Sequence, residues 1–295
     1  MSWKFPYDSP NAIIQLLEDK GLAMSKKFGQ NFLLSPDVRK RIVAIMELKK
    51  DTNVWEIGPG LGAITLEILA TGAQLTAFEI DHGFCRILED EAFGDDENFR
   101  LIEGDALKKW KEVYEEEGVP NIICGNLPYN VGSICIAKLL ENECHPSRMV
   151  FTLQKEVAQR ISSPCGSKLW SSFSILAQID YDTRIAMDIN TGAFFPVPNV
   201  TSSVILMKKL DKSLVDSSIR ATFLMVVRDS FGQRRKTLRN NLLGGKSGKL
   251  LGREATLRAI ATSGLEEGQR GEKIDIPSFI KLATAIQDEI QRIEK

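Results

Sequence analysis

Histidine is nearly missing from this 295-residue chain: only His82 and His145 occur, and neither lies in a motif that would need an imidazole. Cysteine is scarce too. Cys85, Cys124, Cys135, Cys144 and Cys165 are odd in number and form no CxxC pair, which excludes a disulfide framework and a cysteine-ligated zinc site. Several sit in apolar runs and read as buried free thiols. No apolar run approaches the length of a membrane-spanning helix, so no membrane partner is expected, and no metal is expected either. No signal-peptide pattern opens the chain, from which a reducing, cytoplasmic setting is expected. An excess of one charge is also lacking: the net charge is −1 and the pI near 6.2, which argues against a simple nucleic-acid-binding protein. Internal repeats and low-complexity tracts are absent. With 43% hydrophobic residues, what remains is a globular chain that can fill two domains, or one large domain with an appendage.

The near-neutral total hides a division. Residues 209–295 hold 17 Lys plus Arg against 11 Asp plus Glu, a balance of +6, and residues 1–208 carry −7. The pattern of elements divides at the same place. Strands are expected near 53–57, 74–78, 99–103, 121–125, 148–153, 174–180, 183–189 and 202–208, with helices between the earlier ones. The last three have little helix between them, which fits an antiparallel hairpin closing a mostly parallel sheet. Beyond Asp211 the periodicity turns helical, over 217–231, 235–243, 253–263 and 277–293, with Gly244-Gly245 as a break. The expectation is a Rossmann-like α/β catalytic domain over 1–209 and a smaller all-helical, RNA-contacting domain over 210–295. Near the start, Ser9-Pro10-Asn11 opens a short helix whose Ile13, Leu16 and Leu17 need a surface to cover.

Four local patterns carry chemistry. Asn126-Leu127-Pro128-Tyr129 follows a buried strand and suits an amine on a flat ring: the Asn side-chain oxygen and the Leu127 carbonyl accept from the amino group, and Tyr129 stacks on the ring. Upstream, Glu56-Ile57-Gly58-Pro59-Gly60-Leu61-Gly62 forms a strand-to-helix glycine turn. Its GxGxG spacing is not the dinucleotide GxGxxG, and no GKS or GKT follows to cradle phosphate. Glu56 would repel a pyrophosphate yet suits the ammonium of a methionine moiety, which points to S-adenosylmethionine. Glu79 and Asp105 end the next two strands, where carboxylates can accept from ribose hydroxyls and from the adenine amine; ligands of open α/β sheets bind outside the carboxyl ends of the strands. Methyl transfer from a positively charged sulfur needs alignment in a dry pocket more than a strong base, in keeping with the lack of histidine.

On these motifs and others the chain resembles a known family, the ribosomal RNA adenine N6,N6-dimethyltransferases of the bacterial KsgA type. The resemblance runs nearly end to end, through Lys27-Phe28-Gly29-Gln30-Asn31-Phe32-Leu33, Glu56 to Thr65, Glu79-Ile80-Asp81, Gly104-Asp105-Ala106-Leu107 and Asn126 to Tyr129. It continues through Gln154 to Ala158, Phe194-Phe195-Pro196-Val197-Pro198-Asn199-Val200 and Phe231 to Arg239. It implies dimethylation of two adjacent adenines in the 3′-terminal hairpin of small-subunit rRNA, on the immature 30S subunit, by a monomer. It further implies cofactor contacts from Asn31, Leu33, Glu56, Gly58, Gly60, Glu79, Ile80, Asp105, Ala106 and Asn126. The flipped base would be sandwiched between Tyr129 and Phe194, although Phe194 can equally be read as a core aromatic; Phe32 is read as one. RNA contacts are expected from Lys26 and Lys27 and from Arg234, Arg235, Lys236 and Arg239, whose spacing fits one side of a helix and phosphate contact.

The chain departs from the family pattern at Trp170-Ser171-Ser172-Phe173, in a loop expected to border the substrate entrance, and at Phe84-Cys85 after Asp81. Two other readings stand beside the first: a large-subunit adenine methyltransferase of the macrolide-resistance type, and a ribosome-assembly factor that scarcely turns over. The glycine turn with its three acids argues against the latter as the sole role.

Overall fold

The structure, a computed structural model, describes residues 3–24, 31–128, 132–142 and 144–293. The chain forms two compact units, Met1–Ala158 with Thr183–Lys209, and Gln159–Asp182 with Leu210–Lys295.

In the first unit the Ser9 hydroxyl accepts the Ala12 N–H at 3.2 Å and caps α1 (Pro10–Asp19), with Pro10 at the first position, where its missing N–H costs nothing. The surface that α1 covers is a cluster with Phe32, Leu61 and Phe84, onto which Ile13 and Leu17 are buried. After β1 (Phe32–Leu33), the Ser35 hydroxyl caps α2 (Pro36–Met46) in the same way. Strand and helix then alternate: β2 (Asn53–Ile57), α3 (Ala63–Leu69), β3 (Gln74–Glu79), α4 (His82–Ile87), β4 (Phe99–Glu103), α5 (Ala106–Glu117), β5 (Ile122–Asn126), α6 (Gly132–Glu141) and β6 (Arg148–Gln154). Two short helices, α7 (Lys155–Ile161) and α8 (Ser172–Gln178), precede β7 (Tyr181–Ile189), β8 (Phe194–Phe195) and β9 (Ser202–Lys209).

The main sheet has the order β4-β3-β2-β5-β6-β9-β7. The pairs within β2 to β6 are parallel, and β9 lies antiparallel on β6 with Phe151 opposite Ile205. Buried on both faces, β6 is apolar at successive positions rather than alternate ones. Strand order reverses between β2 and β5, and the carboxyl ends of the strands on either side of that switch point meet at one edge, where ligands of such sheets bind. Gly125 is required here: a Cβ would stand 2.4 Å from the Ile57 carbonyl oxygen. The mostly parallel Rossmann-like sheet with an antiparallel edge is as expected.

The strand expected over 174–180 is not formed; that segment is α8. A short apolar run does not by itself distinguish strand from helix. Here Ser171 and Ser174 decide it, each side chain accepting from the other's backbone N–H in a capping box.

The second unit adds α9 (Ser217–Ser230), α10 (Leu238–Gly244), α11 (Lys246–Thr262) and α12 (Ile276–Ile293). Gly252 breaks α11 with φ of +73°, so the helix expected from 253 is its second piece. Phe223, Leu242, Ile260 and Phe279 build the core together with Trp170, Ile175 and Ile179. Segment 159–182 therefore packs with the C-terminal helices, unlike the expected division at 209. The departure at Trp170-Ser171-Ser172 serves this core: the Trp170 indole donates to the Ile274 carbonyl at 3.0 Å, and Ser171 caps α8.

Candidate active site

At the carboxyl edge of the sheet lies a cavity of about 260 Å³, and its wall brings Glu56, Glu79, Asp105 and Asn126 together. The glycine turn between β2 and α3 forms part of it. Gly58, Gly60 and Gly62 have φ of +70°, +60° and +89°, a region that side chains disfavour. At Gly58 a Cβ would meet nothing within 4 Å, so the backbone there faces open space; at Gly62 it would stand 2.4 Å from the Phe93 ring.

Glu56 is 1% exposed, and the Thr65 hydroxyl donates to its Oε2 at 2.6 Å. Burial pushes its carboxyl up to about 7; the Thr65 bond opposes this and the nearby Glu79 charge adds to it. Glu79 is equally boxed in. Its Oε2 accepts the Gly60 N–H at 3.0 Å, and its Oε1 accepts those of Ile80 and Asp81 at 2.8 and 2.9 Å. Burial still prevails over those bonds and pushes this carboxyl, too, up to about 7. Three of the roughly four acceptor sites that a carboxylate offers are thus used, and the rest is open to ligand hydroxyls. Among the described residues neither carboxylate is paired with a cation.

Asp105 caps α5, its Oδ1 accepting the Leu107 N–H at 2.9 Å, and lines the cavity together with Ala106. Ile80 offers an apolar side chain that is 49% exposed at the cavity wall. Asn126 ends β5, and its Nδ2 donates to the Asn31 carbonyl at 2.9 Å, which commits the amide nitrogen and orients Oδ1 as the acceptor. Asn31, Leu33, Leu127 and Pro128 complete this side. Such a set suits a ligand with a cationic end, a hydroxyl and a flat ring.

Every cofactor contact expected from sequence lines this one cavity, as do Asn126, Leu127 and Pro128. Tyr129, Lys26 and Lys27 lie outside the described residues. Phe194 is 1% exposed in the core with Met187 and Ile189, opposite Leu33 in the β1–β8 pair, and it is not among the residues that line this cavity. Sequence reasoning missed Tyr7, Ile13, Phe84 and Cys135 as lining residues. The unpartnered face of α1 signalled Ile13, and the departure at Phe84 signalled that ring, which packs 5.9 Å from Phe32. Nothing local signalled Tyr7 or Cys135, whose thiol burial pushes up to about 12.

The basic run of the second unit does not share a helix side. Gln233 to Lys236 form a turn pinned by Asn241, whose Oδ1 accepts the Gln233 N–H at 3.0 Å and whose Nδ2 donates to the Ser230 and Gln233 carbonyls. Arg235 and Lys236 are exposed. Arg234 donates to the Lys168 carbonyl at 2.6 Å and faces Glu272 at 3.5 Å, while Arg239, on α10, pairs with Glu267 at 3.0 Å. Among the described residues no group of three or more His, Cys, Asp or Glu is placed to hold a metal ion, and no helix is long and apolar enough to cross a membrane.

Residues 21–288 match the family model for ribosomal RNA adenine dimethylase. The chain is 40% identical over 281 residues to a Treponema denticola protein named ribosomal RNA small subunit methyltransferase A, covering 95% of each chain. It is 36% identical to a Listeria innocua protein of the same name, over 95% of this chain and 96% of that one. Among solved structures it is similar in fold to a dimethyladenosine transferase from Plasmodium falciparum, with a TM-score of 0.71, 20% identity and coverage of 86% and 97%. The 23S rRNA methyltransferase ErmE is similar in fold as well, at a TM-score of 0.63, 20% identity and coverage of 86% and 99%.

Proposed function

Since the chain belongs to the ribosomal RNA adenine dimethylase family, we propose that it dimethylates the 6-amino groups of two adjacent adenines in the 3′-terminal hairpin of small-subunit rRNA, late in subunit assembly. The observation that carries this reading is the position of Asn126: its oriented amide lines the same cavity as the buried Glu56 and Glu79. The relatives at 36–40% identity are small-subunit enzymes by name, so the large-subunit alternative is not favoured.

S-adenosylmethionine, when bound, supplies an activated methyl group on a positively charged sulfur. Glu56 would accept from the ammonium of its amino-acid end, in a site where burial strengthens the attraction. Glu79 would accept from ribose, Asp105 would accept from the adenine amine, and Ile80 would supply an apolar wall to the ring. Gly58 and Gly60 let the backbone come close.

The target amine is a poor nucleophile because its lone pair is delocalised into the ring. Asn126 Oδ1 and the Leu127 carbonyl each hold one of its hydrogens, which favours a pyramidal nitrogen whose lone pair faces the methyl. Tyr129 stacks on the extruded base. No strong base is needed, since the proton is lost to water once the nitrogen has become cationic. The exposed basic residues around Arg235 and Lys236 contact RNA phosphates without reading sequence.

The test is incubation of under-methylated small subunits with labelled cofactor and mapping of the modified bases. Label on two adjacent adenines near the 3′ end is expected. Label confined to large-subunit RNA, or none with active cofactor and intact subunits, would overturn the reading.

A further inference from the structure

Tyr7 lies far from the motifs in sequence, yet it lines the cavity and is 3% exposed. Its phenol accepts the Trp3 indole N–H at 2.9 Å and donates its one hydrogen to the Leu61 carbonyl at 2.8 Å, across 54 residues of chain. Leu61 stands between Gly60 and Gly62, both in the left-handed region, so this bond lands on the glycine turn itself. The ring is fixed from two sides, by Phe5 edge-on at 5.1 Å and by the Arg39 guanidinium 5.5 Å from its centroid. Arg39 in turn donates to the carbonyls of Leu33 and Leu34 beside β1. The N-terminal segment, β1 and the glycine turn are thus tied through one phenol and one guanidinium. Burial pushes the phenol far above its ordinary range, and the Glu56 charge, close enough to be felt, adds to that shift.

We propose that Tyr7 is a positioning residue for the amino-acid end of the cofactor: held between Trp3 and Leu61, it closes the Glu56 side of the cavity to water and fixes the glycine turn there. This rests on the reading that the cavity holds S-adenosylmethionine with its ammonium at Glu56. With its single hydrogen committed to Leu61, the phenol serves neither as an acid nor as a donor to the ligand. Loss of the hydroxyl leaves the buried Leu61 carbonyl and the half-buried Trp3 N–H without their partner, which draws water in. Water beside Glu56 screens its attraction for an ammonium. Ligands with an amino-acid tail then lose affinity, and ligands that end at the thioether keep theirs.

The experiment is binding calorimetry on the ligand-free full chain, wild type and Tyr7→Phe, with S-adenosylhomocysteine and with 5′-methylthioadenosine, which lacks the amino-acid tail. For the variant, S-adenosylhomocysteine is expected to bind roughly 5- to 10-fold more weakly, the loss of about one hydrogen bond, while methylthioadenosine changes less than about twofold. Retained methylthioadenosine binding also shows that the variant is folded. Equal weakening of both ligands, or of neither, overturns the proposal and leaves Tyr7 a residue of the core. If Tyr7→Phe does not fold, Trp3→Phe is measured in its place: the same selective loss is expected, and a uniform one overturns the proposal. A wild type that binds neither ligand would sink the cofactor reading itself, and this inference with it.

Discussion

The backbone N–H of Gly60 points at Glu79 Oε2, 3.0 Å away and 19 residues later in the chain. The carboxylate at the end of β3 therefore does two things at once: it fixes the glycine turn that follows β2, and it presents its remaining acceptor site to the cavity. A group of this kind contributes through shape as well as contact. Glu79→Gln keeps one acceptor oxygen for the Gly60, Ile80 and Asp81 N–H groups, which Glu79 serves with two, so at least one of these ties is lost. Affinity for S-adenosylhomocysteine is expected to fall about tenfold or more, of the order of one hydrogen bond to a charged group. Calorimetry on the variant checks this, and unchanged affinity would reduce Glu79 to a strand end.

The same carboxylate weakens the ligand-free fold at neutral pH. Glu56 and Glu79 both have carboxyls raised from the ordinary 4.5 to about 7 by burial. The folded state therefore binds more protons than the unfolded chain between those values, and stability falls as pH rises from about 4.5 to about 7. The carboxylates held below their ordinary range, Asp188 by Lys155 and Asp275 by Ser278 among them, act with the opposite sign and only at more acidic pH. The melting temperature of the ligand-free protein is expected to drop by several degrees between pH 5 and 7.5, and Glu56→Gln should flatten that slope. A ligand with a cationic end favours ionised Glu56, so its affinity should rise through pH 7 with release of protons, measurable as a buffer-dependent binding enthalpy.

The acids and the glycine turn that line the cavity were legible as a cluster in the sequence because each is announced locally: an acid at a strand end, a glycine turn, a Pro after the last strand. Partners across long stretches of chain were not. A Phe two residues before a Pro looks the same at a cavity mouth and in a core, and the burial of Phe194 follows from its pairing with Leu33, remote in sequence. Tyr7 is an isolated aromatic until Leu61 is beside it. The spacing of Arg234, Arg235, Lys236 and Arg239 fits a helix, but the Asn241 side chain satisfies the backbone of a turn instead. At 174–180 the apolar run was visible and its type was not, since two serines ahead of its centre decide between helix and strand.

Ion pairing grades the basic residues of the second unit. Arg234 and Arg239 already face Glu272 and Glu267, whereas no carboxylate is seen at the exposed Arg235 and Lys236 among the described residues. Replacing Arg235 and Lys236 by Ala should weaken binding to small subunits and flatten its salt dependence by a slope of about 2, close to one counterion per lost phosphate contact. Adding Arg234→Ala should change the slope by less than either of the others. An unchanged slope in the double variant would make this face merely solvated.

On the proposed reading, Asn126 serves transfer more than binding. Its Nδ2 is tied to the Asn31 carbonyl, so its Oδ1 is the atom left to accept from an amine. Asn126→Ala removes both, and the loss of one preorganised acceptor is expected to slow transfer about 100-fold or more. Two effects are mixed in that number, the lost acceptor and the loosened Asn31. Asn31→Ala keeps its backbone carbonyl, and therefore keeps the tie to Nδ2, while losing only its own side chain; it should bind cofactor more weakly with a far smaller change in the rate at saturation. Single-turnover methylation of small subunits, with RNA binding and S-adenosylhomocysteine binding measured in parallel, distinguishes the cases. Near-normal transfer by Asn126→Ala would mean that the residue positions the loop; loss of transfer with both binding steps intact would place the amide at the reacting nitrogen.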